Sequence, residues 1–252
     1  MSRTRAPEGP RRPSAPRVAG LVLAAGESSR MGTAKALLDA GGMTFVGRLV
    51  QTLAGAGCDP VVVVAATRAG SVTDEAARSG ARLVVNPDGA GGQIGSLRAG
   101  LSWLAQRDDP PAAVVFTPVD NPAVAAATVE ALIAAWDTAR AAHAAIVVPR
   151  CGNRRGHPVL ADMRIAHEFQ APGLPDGART VVRRDPGRVV EVEVEDPGVV
   201  EDIDTPERYR RRFRREPSSG PAPAPSAPSS GPAPPVPSSR PRSRTEPPGA
   251  SA

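Results

Sequence analysis

The sequence is poor in residues on which several classes of protein depend. Its 252 residues include two cysteines, three histidines and seven aromatic side chains. Two isolated cysteines, Cys58 and Cys151, give neither a disulfide framework nor metal-ligand spacing, which fits a reducing cytoplasm. So few aromatic residues leave no stacking platform for nucleic-acid bases, and no apolar run approaches the ~20 residues of a membrane span. We therefore expect a cytoplasmic protein that binds neither nucleic acid nor membranes.

The excess of positive charge belongs to the two ends of the chain. The formal net charge of the chain is +5. Residues 1–17 contain five arginines and one glutamate (+4), and residues 217–252 contain three arginines and one glutamate (+2), so residues 18–216 carry a net charge of −1. Both ends are rich in Pro, Ser, Ala and Arg and hold too few large apolar side chains to offset the entropy of ordering. We predict disordered tails at 1–16 and 216–252 around one folded domain at 17–215.

The most informative segment is LAAGESSRMGTAK, which runs from Leu23 to Lys35 directly after an apolar, strand-like run. Its candidate ligand-binding residues are Gly26, Ser28, Ser29, Arg30, Gly32 and Lys35. Glycines let the backbone approach a ligand closely, and backbone N–H groups, hydroxyls and cations together bind several phosphate oxygens. The spacing matches neither a P-loop nor G-x-G-x-x-G. We predict a different loop that binds a triphosphate, with an ordinary polar connection as the alternative.

Valine-rich runs alternate with helical patterns through the middle of the chain. Strands are predicted at Val18–Ala24, Pro60–Ala65, Arg82–Val85, Ala113–Thr117, Ala145–Val148, His157–Leu160 and Arg188–Val194. Helices are predicted at Thr44–Ala56, Ser71–Ser79, Gln93–Gln106, Ala125–Ala141, Asp176–Arg184 and Thr205–Arg215, the last as a solvated basic helix with Tyr209 and Phe213 on one face. This alternation predicts an α/β fold with a largely parallel sheet and a ligand site beyond the carboxyl ends of its strands.

Acidic residues follow two of these extended segments. Asp120 comes after an apolar strand and lies between two prolines, where it can hold a hard cation or form a turn. In the segment EDIDTPE, alternation places Asp202 and Asp204 on one side and Ile203 towards the core, while Thr205 and Pro206 suit the start of a helix.

The loop resembles the signature of nucleotidyltransferases with a Rossmann-like fold, L-A-(A/G)-G-x-S-x-R-M-G-x-x-K. The match covers Leu23, Ala24, Ala25, Gly26, Ser28, Arg30, Met31, Gly32 and Lys35. The chain is similar to the MobA-like NTP transferase family and, within it, most of all to the molybdenum cofactor cytidylyltransferases. The resemblance implies a three-layer αβα fold with a mostly parallel mixed sheet, and a nucleotide bound by this loop.

Further matches imply roles for residues outside the loop. The D-x-P motif of the family matches Asp120-Asn121-Pro122, and its Asp binds catalytic Mg²⁺. The D/N-x-D/N-T-P-E motif implies Asp204 as the second metal ligand, with Asp202 as its neighbour or an alternative ligand. The N-x(n)-G-x-x-x-S-L-x-x-G-L segment implies that Asn86, Gln93 and Ser96 contact the base or ribose, although this segment could be a flexible connection. The R-G-H-P motif implies that Arg155 and His157 bind the acceptor, although His157 could instead cap a strand.

The resemblance implies Mg²⁺-dependent transfer of CMP from CTP to a phosphate-bearing acceptor of the molybdopterin type, with Arg30, Lys35 and Asp120 as catalytic residues. Ala25 favours cytidine because family members that use GTP carry a second Gly there. Three alternatives stay open: a GTP-dependent guanylyltransferase of the same cofactor, a cytidylyltransferase for another phosphate acceptor, and a non-catalytic nucleotide-binding accessory protein. Molybdoenzymes or their chaperones are the protein partners that this function suggests.

Overall fold

The computed structural model describes residues 16–26, 34–89, 91–143 and 145–219. Residues 1–15 and 220–252, which make up most of the two predicted tails, lie outside this range, so the predicted domain boundaries stay a prediction. The strands are β1 Val18–Leu23, β2 Val61–Ala65, β3 Arg82–Val85, β4 Ala113–Pro118, β5 Ile146–Cys151, β6 Arg154–Arg155, β7 Val159–Asp162 and β8 Val189–Glu193. The helices are α1 Phe45–Gly55, α2 Ser71–Arg78, α3 Gly92–Ala105, α4 Ala126–Ala139, α5 Ala166–Gln170, α6 Ala178–Arg184 and α7 Pro206–Phe213.

These strands form one mixed sheet in the order β3-β2-β1-β4-β7-β5-β6, with β8 paired to β5. The pairs β1–β2, β1–β4, β2–β3 and β5–β8 are parallel. Strand β7 is antiparallel to both β4 and β5, and β6 is antiparallel to β5. From β1 the chain first builds outwards through β2 and β3, then returns to place β4 on the other side of β1. The carboxyl ends of β1 and β4 therefore form the switch point at which such sheets bind ligands.

Helices cover both faces of the sheet. On one face Val22 of β1 belongs to a buried cluster with Leu53 of α1 and Trp136 of α4. On the other face Leu21 belongs to a cluster with Leu97 of α3 and with side chains of α5 and α6. Neighbouring residues of β1 thus point to opposite layers, as the period of a strand requires. The predicted three-layer αβα architecture is confirmed.

Gly100 sets the distance between α3 and β1. A Cβ atom built at Gly100 would lie 2.4 Å from Cδ1 of Leu21, closer than real Cβ contacts come. Glycine therefore lets the helix approach the central strand without moving that leucine. Because α3 begins beside the carboxyl end of β1, this packing also fixes the position of the residues at its start.

The last helix packs its aromatic face inwards. Tyr209 is fully buried, with its ring 4.9 Å from that of Phe213 and 6.1 Å from that of Phe45 in α1. Its hydroxyl donates a 2.7 Å hydrogen bond to the carbonyl oxygen of Asp39. The prediction that Tyr209 and Phe213 share a face is confirmed. That face packs inwards, with Phe213 partly buried, whereas the arginines and Glu207 of α7 are exposed.

Two short elements, β6 and α5, are additions to the predicted set. Both have five residues or fewer, too few for a periodic pattern to stand out. Among the helices of the described segments, none has the length and apolar character needed to cross a membrane.

Candidate active site

A cleft of about 730 Å³ opens at the carboxyl ends of the central strands. Its lining includes Leu23, Ala24, Ala25, Gly26, Lys35, Gln93, Ser96 and Asp120. In the parallel pair, Leu23 of β1 lies opposite Pro118 of β4, and the N–H of Val119 donates to the carbonyl oxygen of Leu23 at 3.1 Å. Asp120 follows at once, so the sheet itself brings the start of the predicted phosphate loop and the predicted metal ligand to one place.

Part of the predicted loop falls outside the residues that the structure describes. This part is residues 27–33, which include Ser28, Ser29, Arg30, Met31 and Gly32, and their predicted roles stay predictions. The described residues on either side, from Leu23 to Gly26 and at Lys35, line the cleft. The second glycine-rich segment packs directly on the first loop, since a Cβ atom at Gly89, whose φ is +60°, would lie 2.6 Å from the carbonyl oxygen of Ala25.

Lys35 is the only lysine in the sequence, and it faces Asp120 across the cleft. The ammonium nitrogen of Lys35 lies 3.8 Å from a carboxylate oxygen of Asp120, with side-chain exposures of 18% and 19%. Lys35 starts a 3₁₀ turn that ends at Leu37, and the next residues pair with Thr44 and Ser219 through β-bridges. The backbone on the carboxyl side of Lys35 is therefore paired on two sides, with Thr44 before α1 and with Ser219 of the predicted carboxyl-terminal tail.

Two further carboxylates lie within electrostatic reach of Asp120. Burial raises the pKa of Asp120; the charge of Lys35 lowers it, and the charges of Asp202 and Asp204 raise it further, so that the net direction is upwards. The N–H of Ile203 donates to the carbonyl oxygen of Asp120 at 2.7 Å, and Ile203 itself is fully buried. The predicted arrangement of Asp202 and Asp204 about a core-facing Ile203 therefore puts both charges within electrostatic reach of Asp120.

The two candidate partners of Asp120 differ in their surroundings. Asp202 accepts a 3.0 Å hydrogen bond from the amide of Asn121. Asp204 lies 3.4 Å from the guanidinium of Arg208. One carboxylate is thus held by a buried neutral amide and the other by an exposed cation.

This group of carboxylates suits a divalent cation that a ligand helps to bind. In the described part of the chain, no set of three or more His, Cys, Asp or Glu side chains is close enough to hold a metal ion alone. Mg²⁺, however, is commonly held by one or two carboxylates together with substrate phosphates and waters. Burial, and after it the charges of Asp202 and Asp204, raise the pKa of Asp120. A bound cation would offset these unfavourable effects on the charged carboxylate, so the residues present fit such an ion.

A second cleft, of about 710 Å³, adjoins the first. Leu23, Gln93 and Pro118 line both clefts, so the ends of β1 and β4 form the wall between them. The lining of the second cleft also includes His157, Asp202 and four arginines at Arg154, Arg155, Arg179 and Arg183. It is the more polar of the two clefts by the residues that line it.

The R-G-H-P segment lies in this second cleft. Arg155 is on β6, where its guanidinium pairs with Glu191 of β8. Burial lowers the pKa of His157 to about 4; the charge of Asp202 opposes this shift and that of Arg179 adds to it. His157 is therefore neutral at neutral pH. The acceptor roles predicted for Arg155 and His157 stay predictions, with both residues placed in one cleft.

The residues predicted to contact the base and ribose divide into two kinds. Asn86 and Ser96 are buried, and the amide of Asn86 donates to the hydroxyl of Ser96 at 3.2 Å. Gln93 is exposed and lines both clefts. All three stay predicted nucleotide contacts, and the first two also hold the start of α3 against the end of β3.

Asn121 and Arg179 belong to the site but were absent from the predicted set. Asn121 reaches Asp202 across 81 positions of sequence, and Arg179 reaches the cleft from α6. The local sequence pointed to Asn121 only through its position inside the D-x-P motif, and it gave no signal for Arg179. Their placement depends on how distant segments pack.

A nucleotide-sized cleft at the switch point of a parallel sheet, with a cation and grouped carboxylates, is typical of α/β enzymes that bind nucleoside phosphates. Comparison with known proteins gives the particular family. The model of the MobA-like NTP transferase domain matches residues 20–189. The chain belongs to this family of nucleotidyltransferases, and the predicted resemblance is confirmed.

Individual relatives carry different names. The chain is 32% identical over 201 residues to nicotine blue oxidoreductase of Paenarthrobacter nicotinovorans, covering 78% of this chain and 96% of that protein. It is 34% identical over 123 residues to molybdenum cofactor guanylyltransferase of Rhodobacter capsulatus, covering 47% of this chain and 59% of that protein. The crystal structure of Rv0371c from Mycobacterium tuberculosis H37Rv is 28% identical, with a TM-score of 0.63 over 80% of this chain and all of that one. Rv0371c has also been solved in complex with manganese, with a TM-score of 0.62.

Proposed function

We propose that this protein transfers CMP from CTP to the phosphate monoester of a molybdopterin-type acceptor and releases pyrophosphate. The observation that carries the proposal is the position of Lys35 and Asp120, 3.8 Å apart in a cleft that shares a wall with a second, arginine-lined cleft. One cleft suits the nucleotide and the other suits the acceptor. The shared wall is where the two substrates would react.

The reaction needs little proton transfer from the protein. A phosphate monoester has a second pKa near 6 and is mostly a dianion at neutral pH. One of its oxygens attacks the α-phosphorus of CTP, the bond from that phosphorus to the bridging oxygen breaks, and pyrophosphate leaves with the bonding electrons. The protein must hold two polyanions in line and offset their repulsion.

Lys35 and Asp120 of the first cleft, with residues predicted to act beside them, would meet these needs. Lys35, together with Arg30 of the predicted loop, binds the oxygens of the leaving pyrophosphate, and each charge-assisted hydrogen bond contributes about 1.5–3 kcal/mol. Asp120 and Asp204 would hold Mg²⁺, with Asp202 as the alternative ligand. When bound, this ion polarises the α-phosphate and offsets negative charge. The relative solved with manganese supports a divalent ion in this role.

The sole lysine allows a direct test of nucleotide binding. An acylating reagent such as an N-hydroxysuccinimide acetate can modify only Lys35 and the amino terminus, and mass spectrometry separates the two. We expect CTP with Mg²⁺ to slow acylation of Lys35 at least severalfold while the amino terminus reacts unchanged as the internal reference. Equal acylation of Lys35 with and without CTP would refute binding in this cleft.

Turnover is tested by pyrophosphate release over four nucleoside triphosphates with candidate acceptors. We expect release with CTP and a molybdopterin-type acceptor, and its loss in Lys35→Ala and Asp120→Ala variants that still unfold cooperatively. Retained turnover in both variants would remove the mechanism. Preference for GTP would support the guanylyltransferase alternative that the Rhodobacter capsulatus relative suggests. Turnover of CTP with a different acceptor would support a cytidylyltransferase for that acceptor. Nucleotide binding without turnover would support a non-catalytic accessory protein.

A second candidate function comes from the relative named nicotine blue oxidoreductase, because the identity of 32% extends over 96% of that protein. Under this candidate the second cleft would bind an oxidisable or reducible organic substrate instead of a phosphate acceptor. Absorbance assays with reduced nicotinamide cofactors and nicotine blue test it, and turnover there without pyrophosphate release would replace the transferase proposal.

We place the proposed transfer in the cytoplasm, with delivery of the product to molybdoenzymes or their chaperones.

A further inference from the structure

The arginines of the second cleft are not equally available to a ligand. Three of the four are engaged by the protein: Arg154 with the carbonyl oxygen of Val200, Arg155 with Glu191, and Arg183 with Asp176 at 3.5 Å. In the described part of the chain, the guanidinium of Arg179 makes neither an ion pair nor a hydrogen bond. Arg179 is exposed and close enough to His157 for its charge to lower the pKa of that imidazole. Of these four arginines, Arg179 is the one whose guanidinium has no protein partner in the described part of the chain.

His157 offers one nitrogen to the same cleft. Its Nδ1 atom is shielded from solvent and has no hydrogen-bond partner within the described segments. A buried N–H group without an acceptor is rare in proteins, so we assign the proton of the neutral ring to Nε2. Because Nδ1 is shielded, the ring meets a ligand in the cleft through Nε2, which acts as an uncharged donor.

We propose that Arg179 and His157 together bind the phosphate group of the acceptor, with the guanidinium supplying positive charge and Nε2–H supplying a hydrogen bond. The planar guanidinium matches two phosphate oxygens at once. Asp202 lines the same cleft, and its carboxylate repels a phosphate. The phosphate is therefore expected to bind beside Arg179 and away from Asp202. This inference rests on the proposed function, and it names the acceptor by its chemistry: an anionic phosphate ester.

Binding of a pterin probe tests the site without any turnover. We would titrate the protein with 6-hydroxymethylpterin phosphate and with the unphosphorylated alcohol and follow the fluorescence of the pterin, in the absence of nucleotide. The wild-type protein is expected to bind the phosphate ester at least tenfold more tightly than the alcohol, as a charge-assisted hydrogen bond predicts. Equal binding of the two probes, or no binding of either, would overturn the inference.

Matched variants assign the effect to particular residues. Arg179→Gln should weaken binding of the ester at least tenfold and leave the alcohol unchanged, whereas Arg183→Gln, one turn along the same helix, should change it less than about twofold. His157→Gln places an amide N–H near the position of Nε2 and should keep binding within about threefold. His157→Asn reaches only as far as Nδ1 and should lose about tenfold. Equal losses in Arg179→Gln and Arg183→Gln, or equal losses in the two His157 variants, would contradict the assignment.

The outcomes separate this inference from the proposed function. Lys35 acylation in Arg179→Gln should remain sensitive to CTP, because Arg179 lies in the other cleft. If CTP protects Lys35 but the ester binds no better than the alcohol, only the phosphate site is wrong. If the ester binds through Arg179 but CTP does not protect Lys35, the proposed function fails and the phosphate site stands. Thermal unfolding of each variant checks that the fold is intact.

Discussion

The change of Asn121 to Asp tests how the carboxylates of the site are held together. Asn121 is fully buried, and its amide donates to the carboxylate of Asp202 at 3.0 Å and to the carbonyl oxygen of Glu201 at 3.3 Å. Asn121→Asp keeps the shape of the side chain but replaces the donating N–H₂ group with an oxygen. That oxygen would face two acceptors, one of which is charged.

The expected loss of stability follows from these contacts. Losing a hydrogen bond to a charged group and leaving a buried charge unpaired costs about 3–5 kcal/mol at neutral pH. Burial and the neighbouring charges of Asp120 and Asp202 also raise the folded-state pKa of the introduced carboxyl above its unfolded value of about 3.9. Because the folded state then favours the protonated form, the loss grows as the pH rises from about 4 and is complete above the raised pKa. At low pH the protonated carboxyl can again donate to Asp202.

Urea unfolding at pH 5.0 and pH 7.5 measures the difference. Asn153→Asp is the matched control, because Asn153 lies exposed in the turn between β5 and β6 and its change should cost less than about 0.5 kcal/mol at either pH. The loss in Asn121→Asp should be larger at pH 7.5 than at pH 5.0. A loss that is equal at both pH values, or no larger than that of the control, would refute the idea that Asn121 holds a crowded group of carboxylates.

Three further changes test other parts of the molecule. Tyr209→Phe leaves the buried carbonyl oxygen of Asp39 without its donor and should cost about 1–3 kcal/mol in urea unfolding; a loss below about 0.3 kcal/mol would show that this hydrogen bond is unimportant. Glu168 has a pKa lowered first by its hydrogen bond from Arg188, so its stabilisation is present above the unfolded pKa of about 4.3 and is lost as the pH falls through the lower folded value. Glu168→Gln should therefore flatten the fall of thermal stability between about pH 5 and pH 2, and an unchanged slope would contradict this. Ala25→Gly should raise the use of GTP relative to CTP by about tenfold, the usual effect of one methyl group in a substrate pocket, and an unchanged ratio in pyrophosphate release would exclude Ala25 as the selector.

The sequence predicted the elements whose signals are local. Val18–Leu23 is an apolar run bounded by a glycine-rich turn, and Asp120 follows a second such run between prolines. Parallel strands bring their carboxyl ends to one edge, so these two segments were expected to meet there. The buried position of Ile203 followed in the same way from simple alternation in an extended segment.

The order of the strands could not be predicted from local patterns. Strand β7 enters the sheet antiparallel between β4 and β5, and nothing in its four residues states its direction or its neighbours. The same limit applies to Arg155. Its motif implied a role in acceptor binding, but the paired carboxylate on β8 comes from 36 positions away and became visible only when the strands were in place.

The side chains that connect parts of the site were the hardest to predict. Tyr209 reaches Asp39 across 170 positions, and nothing in the basic sequence of α7 indicated that its hydroxyl would hold the backbone that follows Lys35. The opposite case is the middle of the predicted phosphate loop, where the sequence motif is strong but the residues lie outside those that the structure describes. These residues are Ser28, Ser29, Arg30 and Gly32. Their roles continue to rest on the sequence.

Asp202 lies where its charge reaches residues of both clefts. Its charge acts on Asp120 in the first cleft and on His157 in the second, and the buried amide of Asn121 fixes its position. A cation held beside Asp120 would offset this charge and so reduce the repulsion that Asp202 exerts on a phosphate near Arg179. Binding of the cation should therefore strengthen binding of the phosphate ester, and by thermodynamic linkage the ester should strengthen binding of the cation by the same factor. In Asn121→Asp, where the carboxylate of Asp202 loses its donor, that factor should change even if each cleft still binds its own ligand.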